Sequence, residues 1–189
     1  MSGRAWIELN MGNLRRNIRI LQSRLPKGCR LMPAVKANAY GHGMELILQE
    51  CRRVGIEDFC VATAEEGAQA RRQGAKGTVL VLGCTPPGQF PLLESFCLTQ
   101  TAVDYEYAWR LNSYGRPLRV QIAVDTGMHR LGESWDCIQR IRQIFFLKNL
   151  EIEGIFTHLC AADGRSRRQR TFTKMQAERF WQTVKALEK

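Results

Sequence analysis

Leu31-Met32-Pro33-Ala34-Val35-Lys36-Ala37-Asn38-Ala39-Tyr40-Gly41-His42-Gly43-Met44 starts with the composition of a buried strand and ends at the start of a helix. Leu31–Ala37 is apolar and predicts a strand, although Lys36 sits within it. Gly41 and Gly43 interrupt the run, and Met44–Val54 has the apolar period of a helix. The stretch is therefore a strand–loop–helix unit with a lysine at the strand's end.

The unit recurs along the chain. Phe59–Thr63 predicts a strand and Ala64–Gln73 a helix whose Glu65 and Glu66 suit the positive N-terminal end. Thr78–Leu82 predicts a strand, followed by the turn Thr85-Pro86-Pro87-Gly88 and a short helix near Gln89–Ser95. Cys97–Ala102 is next, with Asp104 as N-cap of a helix over Tyr105–Ser113. Leu118–Val124 precedes a helix over Trp135–Phe145 capped by Ser134. Glu151–His158 precedes an amphipathic helix over Thr171–Leu187. Upstream, Asn10 or Asn13 can start a helix to about Leu25, with Leu14, Ile18 and Leu21 on one face.

This makes six consecutive strand–helix units. Alternating strands and helices predict a parallel sheet, and the lack of a Gly-x-Gly-x-x-Gly turn argues against a dinucleotide-binding sheet. The rhythm fits an α/β fold of the (β/α)8 TIM-barrel type, truncated after about six units, or else an open doubly wound sheet. No linker, repeat or low-complexity segment divides the chain.

With 189 residues, 44% hydrophobic and 24% charged, the composition is that of a globular domain. There is no apolar run of membrane-spanning length, and the N-terminus, Met1 to Trp6, lacks the apolar core of a signal peptide. A cytoplasmic protein without a membrane partner is expected. The seven cysteines are odd in number and widely spaced, so neither a disulfide framework nor a zinc site is expected. Three scattered histidines add no metal-binding spacing. Much of the net charge of +10 lies in Arg165-Ser166-Arg167-Arg168-Gln169-Arg170. Without interleaved aromatic residues this run predicts a solvated loop leading into a helix, and no nucleic-acid partner. Trp6, Trp109, Trp135 and Trp181 are expected to pack in or near the core.

In a barrel of this type, chemistry gathers at the C-terminal ends of the strands. A charged lysine is costly in an apolar strand. Burial favours its neutral amine, which can form a Schiff base with an aldehyde and later exchange a proton. Tyr40 can bring its hydroxyl to the same mouth. Arg130 lies between Gly127 and Gly132, a pattern for either a shaped anion site or a tight turn with a surface arginine. Asp125 can cap that turn. His158 ends a strand expected to be buried, where a histidine satisfied within the core is the common case.

Ala34-Val35-Lys36-Ala37-Asn38-Ala39-Tyr40-Gly41-His42-Gly43 resembles the cofactor-attachment signature of alanine racemases. Val124-Asp125-Thr126-Gly127-Met128-His129-Arg130-Leu131-Gly132 and Gly154-Ile155-Phe156-Thr157-His158 resemble a second and a third signature. They occur in the family's order, and the similarity runs from Arg4 to the chain's end. The resemblance implies that residues 1–189 are the N-terminal pyridoxal 5'-phosphate-binding barrel domain of an alanine racemase, incomplete and without the C-terminal β domain. It implies a head-to-tail homodimer that racemises a small amino acid, L-alanine to D-alanine, to supply D-amino acids for peptidoglycan.

By the same resemblance Lys36 binds the cofactor and acts as one of two bases, Tyr40 contacts its phosphate, Leu82 lines its pocket, and His158 lies behind the ring nitrogen. Arg130 binds the substrate carboxylate. The opposite-face tyrosine of the family comes from the partner's C-terminal domain, so the chain alone is expected to racemise weakly or not at all. A lysine common in the family is replaced by Ala123, leaving Arg130 to find another partner, such as an anion. The loop with His129 before Arg130 also resembles serine racemase domains linked to vancomycin resistance, which adds L-serine as a substrate. The alternative function is a non-catalytic PLP-binding barrel of the cofactor-homeostasis type, which would use Lys36 and Tyr40 but not Arg130.

Overall fold

The structure is a computed structural model describing residues 5–188. The expectation placed on Met1–Arg4 lies outside the described residues. The chain forms two compact units, one running to Gly83 and taking in Ser95–Leu98, the other made of Cys84–Glu94 and the residues from Thr99 onward.

The first unit contains α1 (Met11–Gln22), α2 (Lys36–Tyr40), α3 (Met44–Arg53), β1 (Phe59–Val61), α4 (Ala64–Arg72) and β2 (Val79–Val81). Asn10 caps α1, its side chain accepting the Asn13 N–H at 2.9 Å. Of the predicted apolar face only Ile18 is buried, and Leu21 is exposed. The helix is also tied through Arg15, which pairs with Glu50 of α3. Glu50 is buried and takes a second arginine, Arg53, at 2.5 Å, so its charge is compensated. β1 and β2 pair in parallel, Cys60 opposite Leu80, and their apolar runs mark strands covered on both faces.

The predicted strand Leu31–Ala37 is reduced to one parallel bridge, Ala34 opposite Cys60. The backbone leaves the extended region directly after it. Ala39 N–H returns to Val35 O at 2.8 Å, and that local bond takes the place of further ladder pairing.

The second unit contains α5 (Phe90–Ser95, its last residue excepted), β3 (Thr99–Ala102), α6 (Tyr105–Asn112), β4 (Leu118–Asp125), β5 (Glu133–Ser134), α7 (Ile138–Ile144), β6 (Leu150–Phe156) and α8 (Arg167–Leu187). β4 is its central strand, pairing in parallel with β3, with β6 and, near its C-terminal end, with β5. β3 is polar yet buried, an expensive arrangement unless each group is bonded. Gln100 accepts from the Thr85 hydroxyl at 2.6 Å, and Thr99 donates to Glu153 at 2.8 Å. The Tyr107 hydroxyl donates to Thr85 O at 3.0 Å and accepts Thr85 N–H at 2.8 Å, anchoring the Pro86-Pro87 turn. Burial pushes the Tyr107 phenol up to about 12. Asp104 caps α6 as predicted, accepting Tyr107 N–H.

Several boundaries differ from the sequence reading. Cys97 has φ of 47°, so β3 begins only at Thr99. Ser134 caps no helix. It belongs to β5, and α7 starts at Ile138 after Cys137, because the chain first makes a short parallel pairing with β4. β6 stops at Phe156, so His158 is beyond the strand and exposed. α8 starts four residues early, at Arg167, because Ser166 and Gln169 form a reciprocal capping box. Arg167, Arg168 and Arg170 are thus helical, not loop residues. Trp6, Trp109 and Trp181 are exposed, contrary to their expected packing. Trp135 is half-buried beneath the Arg179 guanidinium, 5.1 Å from its ring centroid.

Among the described residues, no helix is long and apolar enough to cross a membrane.

Candidate functional site

The candidates sit at the C-terminal edges of parallel strands, in two separate groups. In the first unit, Ala34, β1 and β2 run side by side and in one direction. Lys36 is two residues past the Ala34 bridge, and Leu82 is one residue past β2, its N–H bonded to Val61 O at 2.9 Å. Gly83 follows with its N–H on Ala62 O at 3.2 Å; a Cβ there would meet that oxygen at 2.7 Å, so only glycine permits this approach.

Lys36 opens α2, which is a left-handed turn. Ala37, Asn38, Ala39 and Tyr40 have φ of 50°, 53°, 53° and 54°. Each such residue costs roughly 1–2 kcal/mol relative to the right-handed form, and L-residues adopt it as singles, not runs. The surroundings hold the run in place. Asn38 accepts Met44 N–H through its side chain at 2.8 Å and Gly43 N–H through its carbonyl at 3.0 Å. The His42 ring bonds Ala39 O at 2.8 Å. Glu66 of α4 accepts Ala37 N–H on one oxygen and Ala62 N–H on the other, both at 2.7 Å.

Lys36 is half-buried and Tyr40 is exposed at the end of the turn. Cys60 stands opposite Ala34 and lies near enough to Lys36 to feel its charge. Burial pushes the Cys60 thiol up to about 11, and the Lys36 charge works against that rise. Among the described residues no carboxylate forms an ion pair with Lys36. A half-buried primary amine at a strand end, unpaired and beside glycines with φ of 86° and 90° at Gly41 and Gly43, fits the attachment point of an aldehyde cofactor.

In the second unit the loop after β4 is organised by Asp125. One of its oxygens accepts the N–H groups of Gly127, Met128 and His129 at 2.9, 3.0 and 3.0 Å. The other meets the His129 ring at 2.9 Å. Burial tends to raise the Asp125 pKa, but the N–H donors of His129 and Gly127 and the His129 ring outweigh it and hold it below the ordinary aspartate value. The capping role expected of Asp125 is therefore present. Gly132 closes the loop with φ of 119°, and a Cβ there would meet Asp125 N at 2.6 Å. Arg130 is exposed, and among the described residues it pairs with no carboxylate. Ala123 is buried in β4.

The third segment is tied to the same loop. The Thr126 and Thr157 hydroxyls are 2.8 Å apart, and Thr157 donates to Val124 O at 2.7 Å. Gln176 of α8 is fully buried and donates to Thr126 Oγ1 and to His158 O at 3.2 and 3.0 Å. Arg179 donates to Thr126 O at 3.0 Å. His158 is thus held by its backbone while its ring faces solvent, which corrects its placement within a buried strand.

Thr126, Thr157, Gln176 and Arg179 were not singled out from the sequence, and Glu66 was read only as a charge suited to its helix start. Two signals were available. Thr63 and Glu66 have the Thr-x-x-Glu spacing of a helix start, which marks Glu66 as a side chain that reaches back. Gln176 and Thr183 occupy the buried stripe of an amphipathic helix, where a polar residue needs a partner.

Residues 9–189 match the family model for the alanine racemase N-terminal domain. The chain belongs to that family. It is 41% identical over 181 residues to an amino-acid racemase of Enterococcus faecalis, covering 96% of this chain and 26% of that protein. It is 37% identical over 185 residues to the alanine racemase of Geobacter sp. (strain M21), covering 92% and 48% respectively. Among solved structures, the alanine racemase of Clostridium difficile 630 superposes with a TM-score of 0.90 at 28% identity, covering all of this chain and 50% of that one. The fold is therefore α/β with parallel strands, of the (β/α)8 type found in alanine racemases. The chain spans about half the length of the alanine racemases it matches and about a quarter of the Enterococcus faecalis protein.

Proposed function

We propose that this chain is the N-terminal, cofactor-binding barrel part of a racemase that uses pyridoxal 5'-phosphate to invert a small amino acid of the alanine and serine class. The observation that carries the proposal is Lys36: a half-buried amine at the mouth of parallel strands, free of any described carboxylate and followed by a turn whose strain the fold sustains.

Lys36 holds the cofactor and exchanges the α-proton on one face of the substrate. Tyr40 and Leu82 would help hold the cofactor, Tyr40 through its hydroxyl on the phosphate and Leu82 as an apolar wall, and His158 would support its ring nitrogen. In the second unit Arg130 binds the substrate carboxylate through its guanidinium fork. The bound cofactor supplies an electron sink for the negative charge left when the α-proton departs. The family's second base and homodimer are assigned to no residue of this chain. All seven cysteines are free, which fits a reducing compartment such as the cytoplasm.

The test is exchange of the α-hydrogen of L-alanine in heavy water by the cofactor-loaded chain, followed by proton NMR. Exchange that disappears in Lys36→Ala supports the reading. Equal exchange in wild type and Lys36→Ala overturns it.

A further inference from the structure

We propose that Glu66 is the positioning residue for Lys36, acting through the backbone without touching cofactor or substrate. This rests on Lys36 being the reactive lysine. The Glu66 carboxylate bridges two strand ends, accepting Ala37 N–H and Ala62 N–H at 2.7 Å each. The Ala37 N–H belongs to the peptide plane that joins Lys36 to Ala37, so Glu66 fixes that plane and with it the side chain's point of departure. The Ala62 N–H belongs to the residue directly after β1. One rigid carboxylate thus sets the spacing between the Lys36 backbone and the neighbouring strand end.

Position and strain both argue for this assignment. Ala37 is the first of the four consecutive left-handed residues, and it is exposed, so no packing of its own holds it there. Glu66 is half-buried in the first turn of α4, whose start is fixed independently by Thr63 Oγ1 accepting Glu66 N–H at 3.3 Å. The helix is thereby anchored before its glutamate reaches Ala37, 29 residues away in sequence. Ionised carboxylates accept N–H groups more strongly than amides do, and they accept on both oxygens. Glutamine at this position can accept on one atom only, since its amide nitrogen is a donor. The side chain's length matters too, because aspartate cannot span both strand ends from the same helix position.

The test uses the full chain in four forms: wild type, Glu66→Gln, Glu66→Asp and Glu65→Gln. The last removes a neighbouring charge from the same helix turn and controls for the helix dipole. Two quantities are read in each folded variant: amide hydrogen exchange at Ala37 and Ala62, and the rate of borohydride-trapped pyridoxal 5'-phosphate adduct on Lys36 relative to that on exposed Lys148. Glu66→Gln and Glu66→Asp are expected to speed exchange at Ala37 at least tenfold and to lower the Lys36-to-Lys148 ratio several-fold, with Glu65→Gln matching wild type. Unchanged exchange and an unchanged ratio in the Glu66 variants overturn the proposal, as does an equal drop in Glu65→Gln. If Glu66→Gln does not fold, Glu66→Asp decides by the same criteria. A wild-type chain without any Lys36 adduct would instead overturn the reading of Lys36, while the Ala37 exchange still reports on Glu66.

Discussion

The turn after Lys36 and the loop after β4 both place a basic side chain beyond the end of a parallel strand, and they rest on different supports. The β4 loop is organised from within, and α8 bonds only Thr126 at its start through Gln176 and Arg179. Asp125 gathers three successive N–H groups from its own loop, and Gly127 and Gly132 take the backbone angles that other residues resist. The Lys36 turn adds to its own bonds at Asn38 and His42 a support from outside. Its left-handed residues are alanines, an asparagine and a tyrosine, and its first N–H is received by a carboxylate from a helix 29 residues on. A turn supported from elsewhere keeps its shape only within its fold. The lysine proposed to hold the cofactor stands on a turn of this kind.

The largest expected effect bears on the lysine itself. Lys36→Ala is expected to abolish the specific pyridoxal 5'-phosphate adduct while leaving the circular dichroism spectrum intact; an adduct of undiminished yield would dissociate the turn from any cofactor role. On the other side of the comparison, Arg130→Ala is expected to weaken binding of carboxylate ligands by about tenfold or more, the scale of a lost charged hydrogen bond, with cofactor attachment unchanged. Calorimetry with a substrate carboxylate analogue and the Lys36 adduct yield separate the two effects.

Asp125→Ala should cost the β4 loop about 1–3 kcal/mol, since three backbone donors lose their acceptor. Faster amide exchange at Gly127, Met128 and His129, without change at Ala37, is the expected pattern. Acid should reproduce it. The folded-state pKa of Asp125 lies below its unfolded value, so its stabilisation is complete above the unfolded carboxylate range, near pH about 4, and is lost as the pH falls through the lower folded value. An Asp125→Asn variant whose loop exchange still follows the wild-type acid profile would remove Asp125 as the cause.

The smallest effect tests the strain in the other turn. Ala37→Gly is expected to stabilise the chain by about 0.5–1 kcal/mol, because glycine reaches φ near 50° without a Cβ clash and this outweighs its extra freedom in the unfolded state. Thermal unfolding measures it, and clear destabilisation would mean that the left-handed turn carries little strain.

The same contrast explains what could be read in advance. Five of the six strand–helix units were legible because apolar periodicity is local, and the caps at Asp104 and at Asn10, one of two asparagines offered, were legible because capping side chains bond within three residues. The Asp125 turn was legible for the same reason. The left-handed run after Lys36 was not, because alanine carries no signature of positive φ. Nor was the first strand's reduction to a single bridge, which follows from that run. Glu66 and Gln176 act across 29 and 50 residues, so the local pattern marks each as a polar side chain in need of a partner without naming that partner. The early start of α8 was missed although Ser166 and Gln169 carry the pattern, because the arginines between and around them suggested a loop. The exposure of Trp6, Trp109 and Trp181 was missed because aromatic character alone does not place a residue in a core.

The most direct measurement is borohydride reduction of the pyridoxal 5'-phosphate-treated chain followed by peptide mapping by mass spectrometry. A single dominant phosphopyridoxyl group on Lys36 is the expected result. An adduct spread evenly over the exposed lysines, with none favouring Lys36, would contradict its role as the cofactor lysine.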